Sequence, residues 1–153
     1  MNSKKARKPR AEVVRDRALP DDSCPECGNP MRARRAILKY PVNGEEIAVE
    51  QSEHSKCTEC GEVVLRLDQA RALRERAHEI YRAHHTLLAA REIRGLRERL
   101  GMTQAEFAAV LRLGANTLSR WEAGRNVQSA AMDMLLRLIR DVPGSIEYLR
   151  RVA

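Results

Sequence analysis

The chain is poor in aromatic residues. One Phe, one Trp and three Tyr make up only 3% of its 153 residues. A core built on large rings is therefore excluded. Leu, Ile, Val and Ala must fill the interior, which favours small helical packing units. Long apolar runs are missing too, and nothing approaches the ~18–20 residues of a membrane span. The opening stretch "MNSKKARKPRAEVVRDRALPDD" has the positive charge of a secretory leader but no apolar centre. This predicts a cytoplasmic protein with no membrane role. Catalytic groupings are absent as well. No Ser/His/Asp arrangement, Gly-rich phosphate loop or open metal site can be read, so the sequence points away from an enzyme.

What the chain does have is charge. Charged residues make up 32%, the formal net charge is +7, and the sequence pI is about 9.7. Such a balance permits a polyanionic partner without requiring one. The distribution says more. Residues 1–19 carry a net +5, residues 20–85 a net −2, and residues 86–153 a net +4. Three regions of different character suggest different partners. Residues 1–20 have two prolines and little periodicity, which gives two readings: a disordered solubilising tail, or an arm that touches phosphate.

All four cysteines fall in the middle region. Cys24-Pro-Glu-Cys27-Gly28 and Cys57-Thr-Glu-Cys60-Gly61 are two knuckles of the same design. Two intervening residues let both sulfurs of a pair converge on one ion, and the trailing glycine lets the backbone curl behind it. Four thiolates in a tetrahedron suit one structural Zn2+ per chain and leave no open position for a substrate. Cys-Pro-x-Cys-Gly also suits rubredoxin-type iron, so an electron carrier is the competing reading. Between the knuckles, "AILKYPVNGEEIAVEQ" reads as two strands around an Asn43-Gly44 hairpin turn, with Pro41 interrupting the first. "EVVLRL" reads as a further short strand. Asp68 is the expected N-cap of a helix running to about His84, with Leu73, Ala77, Ile80 and Tyr81 on its apolar stripe. His54 reads as a solvated or metal-adjacent residue rather than a ligand. His78, His84 and His85 read as surface residues. A bend near His84–Thr86 divides a metal domain, residues 21–85, from residues 86–153, and leaves room for the two to reorient.

From Thr86 onward the pattern is helical, in five segments. Ile93, Leu96 and Leu100 mark the first, stopped by Gly101. Thr103 and Glu106 form a capping box for the second, which carries Phe107, Val110 and Leu111 and ends at Gly114. The third is read over Ala115 to Ala123 and ends at Gly124. "SAAMDMLLRLIRD" supplies the fourth, Pro143-Gly144 breaks it, and "SIEYLRRV" supplies the fifth. In the third segment, helical spacing puts Leu118 and Trp121 on one face and Asn116, Ser119, Arg120 and Ala123 on the opposite one. A capped helix, a glycine turn and a helix with polar residues facing out together follow helix-turn-helix logic. Asn116 and Arg120 are the candidate base readers, since Asn pairs with adenine and Arg with guanine in the major groove. Thr117 and Ser119 suit phosphate or base edges. Gln104 and Arg125 suit backbone phosphate.

These motifs carry a resemblance. "GMTQAEFAAVL" and "NTLSRWEAG" resemble the Xre-type, lambda-repressor-like helix-turn-helix. The chain from Cys24 onward resembles the MqsA/YgiT family of zinc-finger/helix-turn-helix antitoxins. The resemblance implies an α+β protein: a small zinc-stapled, β-containing N-terminal domain, then an all-α five-helix lambda-repressor-like domain. It implies a homodimer joined through the C-terminal domain and bound to palindromic double-stranded operator DNA. It implies a zinc domain that holds a toxin, often an mRNA-cleaving ribonuclease, and repression of the protein's own operon. The zinc cysteines and the Asn116/Arg120 pair match the family's positions. The alternative is a stand-alone zinc-finger/helix-turn-helix regulator without a toxin.

Overall fold

The computed structural model describes residues 22–114 and 116–153. The basic tail, residues 1–20, lies outside the described residues. The first elements are β1 (Met31–Val42) and β2 (Glu45–Cys57), a long antiparallel hairpin. Asn43 and Gly44 turn it with φ of 50° and 86°. Both central residues of this tight turn need positive φ, and Asn-Gly tolerates that best. Pro41 is accommodated within β1, opposite Glu46. The register slips between Ala36 and Leu38, where Gln51 takes φ 53°. The short strand expected after the last cysteine is only β3 (Val63–Val64), paired to the end of β2. Among the described residues the sheet order is β1-β2-β3, with β1 on the outside.

Helix α1 (Leu67–His84) follows. Its N-cap is Arg66 and not Asp68, which lies inside the first turn. The Gln69 side chain closes this end by accepting from the Arg66 amide at 3.0 Å. Leu73 and Ala77 are buried against Val42, Ile47 and Val49, with Ile80 and Tyr81 partly buried beside them.

Five helices follow: α2 (Ala90–Arg99), α3 (Gln104–Val110), α4 (Thr117–Glu122), α5 (Ala130–Asp141) and α6 (Ser145–Val152). Thr103 caps α3 by accepting from the Glu106 amide at 3.2 Å, and the Glu106 carboxylate accepts in turn from the Thr103 amide at 2.7 Å. Gly114 does not end α3. The helix stops at Val110, and Arg112 takes the left-handed turn at φ 52°. The α4 helix starts two residues later than its apolar spacing suggests, with Asn116 as N-cap. Their shared core holds Ile93, Leu96, Phe107, Leu118, Trp121, Leu136, Ile139 and Ile146. Among the described residues, no helix is long and apolar enough to cross a membrane.

The chain bends after α1, where Thr86 takes φ 52°. Buried contacts nonetheless cross the bend. Val127, from the loop after α4, belongs to the hairpin core. His78 and Arg82 on α1 are buried, at 7% and 2% exposure. The expectation that His78 lies on the surface is therefore corrected. It sits on the face of α1 that meets the α4–α5 loop.

Candidate functional site

The first knuckle closes through backbone bonds. The Cys24 amide donates to Asn29 O at 2.8 Å, and the Gly28 amide to Cys24 O at 2.9 Å. Gly28 and Gly61 have φ of 72° and 77°, the left-handed conformation that glycine adopts without penalty. The Cys57 amide donates to Glu62 O at 2.9 Å and closes the second knuckle. All four sulfurs lie within 4.8 Å of one another, and three pairs stand at 3.5 Å. A tetrahedral ion with metal–sulfur bonds of about 2.3 Å spaces its ligands about 3.8 Å apart. The four thiols thus fit a metal ion. Cys24 and Cys57 are buried, and Cys27 and Cys60 face solvent.

The protonation of this cluster is uneven. Bonds from the Asn29 backbone and side chain, with Cys57, lower the Cys27 pKa to about 6. The Glu62 amide favours the Cys60 thiolate, but the crowding Cys27 and Cys24 thiols outweigh it and push its pKa up to about 12. Four sulfurs this close cannot all be anionic without a cation among them. His54 is not part of the cluster. It is buried at 3% exposure and donates from Nδ1 to Ser52 O at 3.0 Å, so it is not a solvated residue. His84 and His85 are exposed, and His85 bonds Glu45 at 2.7 Å.

The second site lies on α4. Leu118 and Trp121 point inward, with 0% and 5% exposure. Asn116, Arg120 and Ala123 are exposed. The Arg120 amide donates to Asn116 O at 3.2 Å, which sets the two residues one turn apart. Neither side chain is tied to a protein group by a hydrogen bond among the described residues. Thr117 and Ser119 are half-buried. Ser119 Oγ donates to Asn116 O at 3.0 Å. Arg125 is exposed beyond the helix end. Gln104 is exposed, yet its Nε2 donates to Glu122 Oε2 at 2.8 Å, so part of its donor capacity points inward.

Glu122 organises the base of this surface. It is buried at 4% exposure and takes a fork of bonds from Arg97, at 2.7 and 3.0 Å. Arg94 donates to its backbone carbonyl at 3.1 Å. Burial works against this carboxylate, but the Arg97 and Gln104 hydrogen bonds outweigh it and hold its pKa below the usual range. From the other side, Arg82 Nη2 donates to Trp121 O at 3.3 Å and Asn126 O at 2.6 Å, and its Nε donates to Gln128 Oε1 at 3.3 Å. His78 Nδ1 donates to Gly124 O at 2.9 Å. The carbonyls freed at the end of α4 and in its loop are thus capped by cationic or N–H groups from elsewhere. Sequence reading missed Arg82, His78 and the Arg97–Glu122 pair. A charged residue next to Trp121 on an inward face was the one available signal.

The chain is similar to known antitoxins. The family described as the antitoxin component of bacterial toxin–antitoxin systems, MqsA, matches residues 22–150. Antitoxin HigA-2 of Vibrio cholerae serotype O1 is 33% identical over 58 residues, 38% of this chain. That stretch spans 56% of the relative's own length.

Proposed function

Because the chain belongs to the MqsA family of antitoxins from bacterial toxin–antitoxin systems, we propose that it is a sequence-specific repressor that neutralises a toxin and represses its own operon. The observation that carries the DNA reading is the α4 surface. Asn116 and Arg120 are exposed one turn apart on a helix anchored by Leu118 and Trp121. In a helix-turn-helix formed by α3 and α4, these two side chains read base edges. Thr117, Ser119, Gln104 and Arg125 border them and suit phosphate or base-edge contacts. Residues 86–153 form the Xre-type, lambda-repressor-like DNA-binding domain in this reading, and residues 21–85 the metal domain. The protein is a non-enzymatic cytoplasmic regulator.

Cys24, Cys27, Cys57 and Cys60 hold one Zn2+ per chain. The ion supplies folding energy and charge neutralisation, since four thiolates leave no open position. Metal analysis of a colourless sample separates zinc from rubredoxin-type iron. A homodimer is supported by apolar surface along α5 and just past its end. Met134 and Leu138 lie one turn apart on α5 at 68% and 48% exposure, Val142 follows the helix at 46%, and Tyr148 and Val152 of α6 are exposed as well. Pairing such faces hides apolar surface and sets two recognition helices about one DNA turn, ~34 Å, apart. The partner of the metal domain is the toxin, and an mRNA-cleaving ribonuclease suits the family.

The test is to express the adjacent open reading frame alone and with this protein. Growth arrest relieved by co-expression, with the two proteins co-purifying, is the expected result. Absence of toxicity and of a complex would leave a stand-alone metal-stapled regulator.

A further inference from the structure

We infer that Arg112 is a positioning residue for base reading: it straps the α3–α4 turn to the end of α6 and so sets the aim of α4. It acts through Asn116 and Arg120, and therefore depends on the proposed reading of DNA by those two. The turn is a left-handed helix stop. The Arg112 amide donates to Ala109 O at 3.0 Å, and the Leu113 amide to Ala108 O at 2.9 Å. These two bonds close a Schellman motif, whose left-handed residue is usually glycine. The stops after α2 and α4 follow that rule, with Gly101 at φ 65° and Gly124 at φ 69°. The stop after α3 breaks it, with Arg112 at φ 52°. A side chain costs backbone energy there, because its Cβ crowds the following carbonyl. An arginine in this place needs a compensating gain.

The guanidinium supplies it. Arg112 Nη2 donates to Val152 O at 2.6 Å and to Ala153 O at 3.2 Å, 40 and 41 residues along the chain. Glycine could make neither bond. Helix α6 needs no distant cation to offset its own dipole, since Arg150 and Arg151 already lie in its last turn. Close packing does not join the turn to α6 either. A hollow of about 330 Å³ opens there, lined by Val110, Leu111, Leu135 and Leu149 beside Arg112 and Val152. Among the described residues, the two Arg112 bonds are the only hydrogen bonds between residues 111–116 and α6.

The strap matters because α4 is short. It has six residues, and its N-cap Asn116 makes no capping side-chain bond. Its far end is held by Arg82, Arg94 and His78, which donate to Trp121 O, Glu122 O and Gly124 O. Its near end follows Arg112 by four residues. A turn free to rotate would carry Asn116 and Arg120 off their base edges, and paired hydrogen bonds to bases tolerate little misplacement. Arg112 is exposed, so it has one rival role, a phosphate contact of its own. A phosphate contact weakens binding to every sequence alike, whereas a positioning residue governs preference between sequences.

The test compares the full chain with Arg112→Gly on two duplexes of equal length, the DNA upstream of its own gene and a scrambled sequence. Glycine takes φ 52° without penalty, so the turn still forms and only the strap is removed. Preference for upstream over scrambled DNA should fall roughly fivefold or more, the size of one impaired base contact, with scrambled affinity kept. Arg112→Lys still reaches a carbonyl and should recover most of the preference. A chain ending at Arg151 removes the acceptors, leaves Arg112 in place and should show the same fall. Emission from the buried Trp121 reports that each variant is folded, and where Arg112→Gly is not, the shortened chain decides. Unchanged preference in either folded variant overturns the inference. Equal loss on both duplexes also overturns it and makes Arg112 a phosphate contact. A wild-type protein without any preference fails one step earlier, at base reading by α4, and takes the strap's role with it.

Discussion

At the scale of single residues, the side chains that matter divide by what they touch. Arg120 is exposed and, among the described residues, its side chain makes no hydrogen bond to the protein; in the proposed reading it meets a base edge. Arg120→Ala should cost about 1–3 kcal/mol on operator DNA and relax preference at one base pair, measured by binding to operators altered at each position. Equal loss on scrambled DNA would make it a phosphate contact instead. Glu122 is the opposite case, a carboxylate whose side chain is fully buried on the Arg97 fork. Glu122→Ala removes the buried carboxylate from that guanidinium, leaving it Glu98 at 3.5 Å and the Met102 carbonyl, and should cost about 3 kcal/mol in urea unfolding. The outward pair was legible from helical spacing. The Thr103–Glu106 box was legible because its partners stand three residues apart. The Arg97–Glu122 and His78–Gly124 bonds span 25 and 46 residues. Periodicity reports which face a residue lies on, not what meets it there, so neither bond could be read.

At the scale of elements, strong local chemistry carried furthest. Asn43-Gly44 fixed the hairpin, and the two cysteine knuckles met as their spacing required. Boundaries resting on single residues did less well. Asp68 gave way to Arg66 because the Gln69 side chain closes the helix one turn in. Gly114 lost its role because Arg112 accepted the left-handed turn, its guanidinium bonding the Val152 and Ala153 carbonyls. Two element-level outcomes follow. Cys57→Ser should abolish metal binding and loosen the hairpin, seen as lost amide protection in β1 and β2. Trp121, the single Trp, sits in the other core, so its emission should change far less. Leu138→Glu places a charge on the apolar surface along α5. It should convert a dimer to a monomer in sedimentation with little loss of fold stability, because Leu138 is already 48% exposed.

At the scale of the whole molecule, acid should weaken the protein in two stages. Burial, before any other cause, depresses the His78 pKa, and the neighbouring Arg82 and Arg74 charges add to it, while the Gly124 bond and Glu75 oppose it. The folded state thus favours the neutral ring. Its contribution is complete above about 6.5 and lost as pH falls through the lower folded value. Glu122 and Asp133 have depressed pKa values held down by Arg97 and Arg137 despite burial. Their contribution is present above about 4–4.5 and lost as pH falls through their folded values. Urea midpoints followed from pH 7 downward should show both stages, and His78→Gln should remove the first. The joint that His78 shares with Arg82 also bears on how such proteins can be rebuilt. Arg82 belongs to the helix that leaves the metal region, but its acceptors are the Trp121 and Asn126 carbonyls and the Gln128 side chain. A chimera joined near Thr86 would inherit one half of this lock without the other, and a guanidinium or a set of carbonyls would be stranded in the interior. The two regions therefore do not exchange as separate modules. A recombinant that folds will be one whose donor of the metal region also brings an arginine at this position.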